Sequence, residues 1–171
     1  TITVENGALP DSALSFVPYQ NGETYKLKHS NGLIINFETT RSTRDEWSHC
    51  TECCNYEYHF EINTTRLIPD YPIFDCNFDI SNRDTTYFDC YASIGKYGFY
   101  ILTSDFQLDY FEKVDSLTLD SVLYYNVFKL KSDYGSYYDQ DSIYADSLYY
   151  NFQHGILKIL MSNGEYYEIV R

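Results

Sequence analysis

Two Asn-Gly steps, each set between runs that mix apolar and polar residues with a short period, commit both ends of this chain to antiparallel sheet. Ser30-Asn31-Gly32 separates Thr24-Tyr25-Lys26-Leu27-Lys28 from Leu33-Ile34-Ile35-Asn36-Phe37, and Ser162-Asn163-Gly164 separates residues 156–161 from 165–170. Asn-Gly supplies the positive φ angles of a tight hairpin turn, so each segment reads as a β-hairpin. Composition agrees: 20 Tyr and 11 Phe raise the aromatic content to 19%, and such side chains fit pleated, half-buried surfaces.

Between the two hairpins the period of two continues. Tyr56, Tyr58, Phe60 and Ile62 alternate with Asn55, Glu57, His59 and Glu61, which predicts a strand with the aromatic set facing the core. Phe74, Cys76, Phe78 and Ile80 alternate with Asp75, Asn77 and Asp79, and Thr86, Phe88, Cys90 and Ala92 alternate with Tyr87, Asp89 and Tyr91. A turn centred on Arg83 would join these two runs, set Phe78 opposite Phe88 and Cys76 opposite Cys90, and so predict a Cys76–Cys90 bridge. Further strands are expected at 98–102, 107–112, 117–119 and 122–131. The best helical candidate, 108–114, is short. Residues 1–23 read as an irregular lead-in with one short edge strand at 2–4, and 132–147 reads as a long loop. The near-repeat of 120–128 in 146–152 suggests two strands of similar role in one sheet.

The expected fold is therefore a single all-β domain over 1–171, an antiparallel sheet of consecutive hairpins forming a rolled, lipocalin-like barrel or a two-layer sandwich. A chain of 171 residues buries roughly 70% of its unfolded surface, enough for a core without metals or disulfides. The net charge of −13 argues against nucleic acid and anionic membrane surfaces, which recruit Lys and Arg. The sequence carries no initiator Met, no signal peptide and no apolar run of about 20 residues, so a mature or trimmed form is expected. Asn63-Thr64-Thr65 satisfies the glycosylation sequon, a triplet that also arises by chance.

In the C-terminal third, Leu117-Thr118-Leu119, Tyr124-Tyr125-Asn126-Val127-Phe128-Lys129-Leu130, Leu148-Tyr149-Tyr150-Asn151, Gly155-Ile156-Leu157-Lys158-Ile159 and Ser162-Asn163-Gly164-Glu165-Tyr166-Tyr167 resemble the closing strands of secreted β-rich lipoproteins of the Bacteroidota type. Pro18-Tyr19, Gly22-Glu23-Thr24-Tyr25 and Ser30-Asn31-Gly32 are similar to their opening strands. The resemblance implies an extracytoplasmic location at the cell envelope or surface, with a lipidated Cys and flexible tether upstream. It supplies no catalytic residues.

In an oxidising envelope the ordinary reading of five Cys is disulfides: Cys76 with Cys90, and a second bridge among Cys50, Cys53 and Cys54; zinc and reduced core thiols are the alternatives. Cys50-x-x-Cys53 with two further thiolates also has the composition of a zinc site, but Cys76 and Cys90 do not form the second close pair that such sites show. The chemistry of Cys50-x-x-Cys53 lacks the strand-to-helix setting of a redox motif. No metal and no cofactor are therefore expected.

The 132–147 loop concentrates Asp133, Asp139, Asp141 and Asp146 without the spacing or glycine of a calcium loop. Its Tyr137, Tyr138, Asp139, Asp141 and Tyr144 are the candidate ligand-binding residues, because exposed rings beside carboxylates can stack on and hydrogen-bond a sugar or peptide. No Gly-x-Ser-x-Gly, His-Glu-x-x-His, phosphate-cradling or dinucleotide motif occurs. The four His are scattered. The expected function is a non-catalytic binding or interaction module for a glycan, peptide or small apolar ligand; the alternatives are a structural or assembly subunit of the cell surface and, third, a hydrolase with a close carboxylate pair.

Overall fold

The computed structural model describes residues 1–50, 55–84, 87–102, 111–133 and 143–171. In chain order these form β1 (Ile2–Glu5), a short helix α1 (Asp11–Leu14), β2 (Thr24–His29), β3 (Ile34–Cys50), β4 (Tyr56–Pro69), β5 (Cys76–Asp84), β6 (Tyr87–Ile94), β7 (Tyr97–Leu102), β8 (Phe111–Leu119), β9 (Val122–Lys131), β10 (Ala145–Asn151), β11 (Gly155–Met161) and β12 (Tyr166–Ile169). One antiparallel sheet runs β7-β6-β5-β4-β3-β2-β12-β11-β10-β9-β8 and curls into a half-barrel, so the rolled alternative is the one adopted. The curl brings its two flanks together: Asp133 N, just beyond β9, donates to Gly98 O of β7 at 2.9 Å, and the Tyr97 and Tyr144 rings stack at 4.9 Å.

Both hairpins form at their Asn-Gly steps and are built alike, with the glycine alone of each pair taking a positive φ. Gly32 and Gly164 hold φ of 96° and 88°, values open to glycine without a Cβ clash. Asn31 Oδ1 accepts the Leu33 amide at 3.0 Å, and Asn163 Oδ1 accepts the Glu165 amide at 3.1 Å. β12 then pairs with β2, so the first and last hairpins lie side by side.

Several expectations are corrected. β5 and β6 do form a hairpin with Cys76, Phe78, Ile80, Cys90 and Ala92 buried, but pairing continues out to Asp84↔Tyr87 rather than turning at Arg83. Cys76 therefore faces Ile94, Cys90 faces Ile80 and Phe78 faces Ala92. Both thiols are free. A later turn slides the strands by two residues each, which preserves the buried face while separating the cysteines. The proposed partners Cys53 and Cys54 lie outside the described residues, as does the Cys50 side chain. The candidate helix at 108–114 is replaced from Phe111 onward by strand β8. β10 starts at Ala145, so strand replaces the end of the expected loop.

In β4 the alternation is present and its orientation is reversed. Pairing with β3 runs without a shift from Phe37↔Pro69 to Cys50↔Tyr56; Asn63, Thr65 and Leu67 are buried on the concave face, and of the expected aromatic set Phe60 alone is buried. The concave face thus carries His59 and Glu61, while Tyr56, Tyr58 and Phe60 face the opposite side, where Tyr56 and Tyr58 stack.

The lead-in is the largest departure. Ile2–Glu5 forms β1, which pairs in parallel with Tyr56–His59 of β4. The chain then enters the barrel, where Leu9, Ala13, Val17 and Tyr19 join the main core with Leu27, Phe37, Phe78, Phe99 and Tyr150. Such a segment carries backbone groups that a barrel interior must satisfy. Arg41 does much of this: its Nε donates to Asn63 Oδ1 at 2.8 Å, while its Nη atoms donate to the carbonyls of Leu14, Val17 and Tyr19 at 2.8, 2.9 and 3.0 Å. Tyr150 donates its hydroxyl to Phe16 O at 2.7 Å. Tyr19 Oη accepts the Ile156 amide, and the Tyr25 hydroxyl donates to Ile156 O. The interior is closed by the chain's own residues 9–19.

Candidate functional site

The longest hairpin, β3–β4, is apolar inside only where it lines the barrel. Past Thr39 the β3 sequence turns polar, Arg41-Ser42-Thr43-Arg44-Asp45-Glu46-Trp47-Ser48-His49, and the two strands project as a ribbon with β1 on its far side. Cross-strand register sets Trp47 opposite His59 and Asp45 opposite Glu61, while β1 places Glu5 beside His59. These rows line a cleft of about 470 Å³, completed by Gly7 and Ala8 where the lead-in turns into the barrel.

The floor of the cleft is fixed by hydrogen bonds. Glu61 Oε2 accepts the Leu9 amide at 2.7 Å, and the Glu61 amide donates to Asn82 Oδ1 at 2.9 Å. Asn82 Nδ2 donates in turn to Gly7 O at 2.8 Å. His59 Nε2 lies 2.6 Å from Glu57 Oε1, and its Nδ1 lies 3.5 Å from Glu5. The hydrogen bond to Glu57 raises the His59 pKa above its ordinary value, with the Glu5 charge adding to it. Asp45 makes no hydrogen bond or ion pair among the described residues.

Trp47, the only Trp of the chain, is 65% exposed. An indole face beside carboxylates is a surface on which a sugar ring stacks or a cation docks. Sequence reasoning passed over it because its neighbours break the apolar pattern. The usable signal was a lone Trp in a run whose alternate residues are charged.

The expected ligand residues fare differently. Tyr137, Tyr138, Asp139 and Asp141 lie outside the described residues. Tyr144 is half-buried: its ring stacks on Tyr97, its amide donates to Ser162 Oγ at 3.1 Å, and its carbonyl accepts the Ser162 amide. That arrangement ties the barrel flanks together and occupies one ring face. A second cleft, about 320 Å³, follows the first hairpin turn at Lys28, His29, Asn31 and Tyr166. Among the described residues no three His, Cys, Asp or Glu side chains gather as a metal site. No described helix is long and apolar enough to cross a membrane. In the interior, burial holds Tyr19, Tyr25 and Tyr150 in their neutral forms.

No family model, curated protein or solved structure matches this chain. The site is therefore read from its own chemistry. Its aromatic wall is unobstructed, its acids are set by backbone register, and its floor is rigidly bonded.

Proposed function

We propose that this chain is a non-catalytic binding module of the cell envelope that holds a glycan or peptide in the cleft beside Trp47. The observation that carries the reading is the 65% exposed indole on a cleft of about 470 Å³. An exposed indole bordering a cleft beside carboxylates offers a stacking and cation–π surface of the kind that binding sites use. An external ligand is favoured over a small apolar one held inside, since Leu9, Ala13, Val17 and Tyr19 of the lead-in pack into the core that a lipocalin-like barrel would leave open. Placement at the envelope rests on the resemblance of the opening and closing strands to secreted lipoproteins.

The test uses the single indole as its reporter. Oligosaccharide and peptide panels are titrated against the intact chain while Trp47 emission is followed, and hits are repeated on Trp47→Ala by calorimetry. The expected result is a saturable emission change whose calorimetric counterpart disappears in Trp47→Ala without loss of thermal stability. Binding that survives the substitution would move the site elsewhere.

A further inference from the structure

The hydrogen-bond pattern of β3 defines the partner more closely. Thr39 uses both backbone groups away from β4: its amide donates to Glu23 O at 2.9 Å and its carbonyl accepts the Gly22 amide at 2.8 Å. The Arg41 amide points the same way, to Asn21 Oδ1 at 3.1 Å. Asn36, of opposite parity, bonds toward β4's side through Asp70. Because β3–β4 pairing continues unbroken to Cys50, Thr43, Asp45, Trp47 and His49 must present their amides and carbonyls outward. β2 ends at Thr24, opposite Glu38. No described residue bonds to these outward groups. The other side of β4 is already covered, by β1 at Tyr56–His59 and by β5 at 62–67.

We propose that the edge of β3 at residues 43–49, unpaired among the described residues, accepts an extended, basic peptide segment as an added strand, its alternate Lys or Arg side chains lying over the Trp47 cleft. Main-chain pairing supplies affinity without sequence demands, and alternate side chains supply selectivity. On the concave side an added strand lies next to Asp45 and Trp47 of β3, with Glu61 one strand further in on β4. Among the described residues Asp45 has no side-chain partner, so its carboxylate can take a cation, while the indole face adds a cation–π contact. Charge argues against a second copy. Antiparallel self-pairing centred on Glu46 would set Glu46 against Glu46 between two chains that each carry −13, and like charges directly opposite are destabilising.

This inference rests on the binding reading above, and its test separates the two. The probe is a capped peptide of alternating lysine and threonine, titrated against the intact chain at low salt while Trp47 emission and heat are recorded. Two controls replace lysine by glutamate, or methylate every second backbone nitrogen, once in each register. Saturable binding is expected, lost with glutamate and weakened about tenfold or more by methylation in one register only, since that register carries the strand hydrogen bonds. Asp45→Asn should weaken binding several-fold at unchanged thermal stability. Equal binding of both methylated peptides overturns strand addition. A shift of Trp47 by an oligosaccharide but by no peptide overturns the peptide partner and leaves the cleft reading standing, whereas silence toward both overturns both. Dimers that the peptide dissociates would assign the edge to a second copy and overturn the basic-peptide partner.

Discussion

The phenolic oxygen of Tyr19 lies 2.6 Å from the backbone nitrogen of Ile156, joining the interior segment to the barrel wall at a fully buried point. Removing the hydroxyl with Tyr19→Phe leaves that amide dry and unpaired, at a cost of about 1–3 kcal/mol. Denaturant titration should show a lower midpoint at unchanged slope. The neighbouring Gly155 sits at φ 75°, and a Cβ there would come within 2.1 Å of the same oxygen. Gly155→Ala should therefore destabilise clearly more than Gly32→Ala, where the φ is positive but the space is open; the backbone term alone is about 1–2 kcal/mol.

Arg41 holds three carbonyls of the interior segment and Asn63 with one planar fork. Lysine is a point charge on a flexible stem and cannot reproduce this geometry. Arg41→Lys should lose about 1–3 kcal/mol and Arg41→Ala more, since buried acceptors are then orphaned. Hydrogen exchange should report the loss first at 13–19.

Cys76 and Cys90 are free and buried. Alkylation of the native chain without reductant should leave both unlabelled, and denaturation without reductant should expose both; a Cys76–Cys90 cross-link in the denatured digest would contradict the β5–β6 register. Burial pushes the Cys90 thiol from 9.0 up to about 12. A group whose folded pKa is raised contributes stability fully present below its unfolded value and lost as pH rises through its folded one. Stability should thus fall between about pH 9 and 12, and Cys90→Ala should flatten part of that slope.

His59 titrates next to the chain's only indole. Its pKa is raised by the Glu57 hydrogen bond and then by Glu5, so its contribution to stability is complete below the ordinary value of 6.5 and disappears as pH rises through the higher folded value. An imidazolium quenches a neighbouring indole, so Trp47 emission should rise with pH at a midpoint above 6.5. Glu57→Gln should move that midpoint down. A basic ligand should bind more tightly above the midpoint, where Glu5, Asp45, Glu57 and Glu61 face no compensating imidazolium.

Local rules carried the sequence reading furthest where one turn governs the pairing. Ser30-Asn31-Gly32 and Ser162-Asn163-Gly164 each contain their own φ requirement, and both hairpins follow. The β5–β6 alternation revealed the buried residues but not their partners, because a four-residue change of partner, from Cys90 to Ile94 opposite Cys76, keeps every side chain on its face. In β4 the expected aromatic face is buried at Phe60 only, and the concave face is set by Asn82, Leu9 and Arg41, which bond to Glu61 and Asn63 from elsewhere in the chain. The polar half of β3 is a strand because β4 pairs with it, and no apolar period announces that. Leu9, Ala13, Val17 and Tyr19 reach the core through partners as distant as Ile156, which local periodicity does not encode.

The interior segment also imposes an order of events on synthesis. Its bonds to the barrel wall at Tyr150 and Ile156 span 134 and 137 residues, and contacts this distant slow folding through the loop entropy they must close. A ribosome adding roughly 5–20 residues per second delivers Tyr19 on the order of ten seconds before Ile156. During that interval the aromatic segment and the growing sheet remain mutually unsheltered, and the arrival of β10 and β11 is the step that ends the exposure.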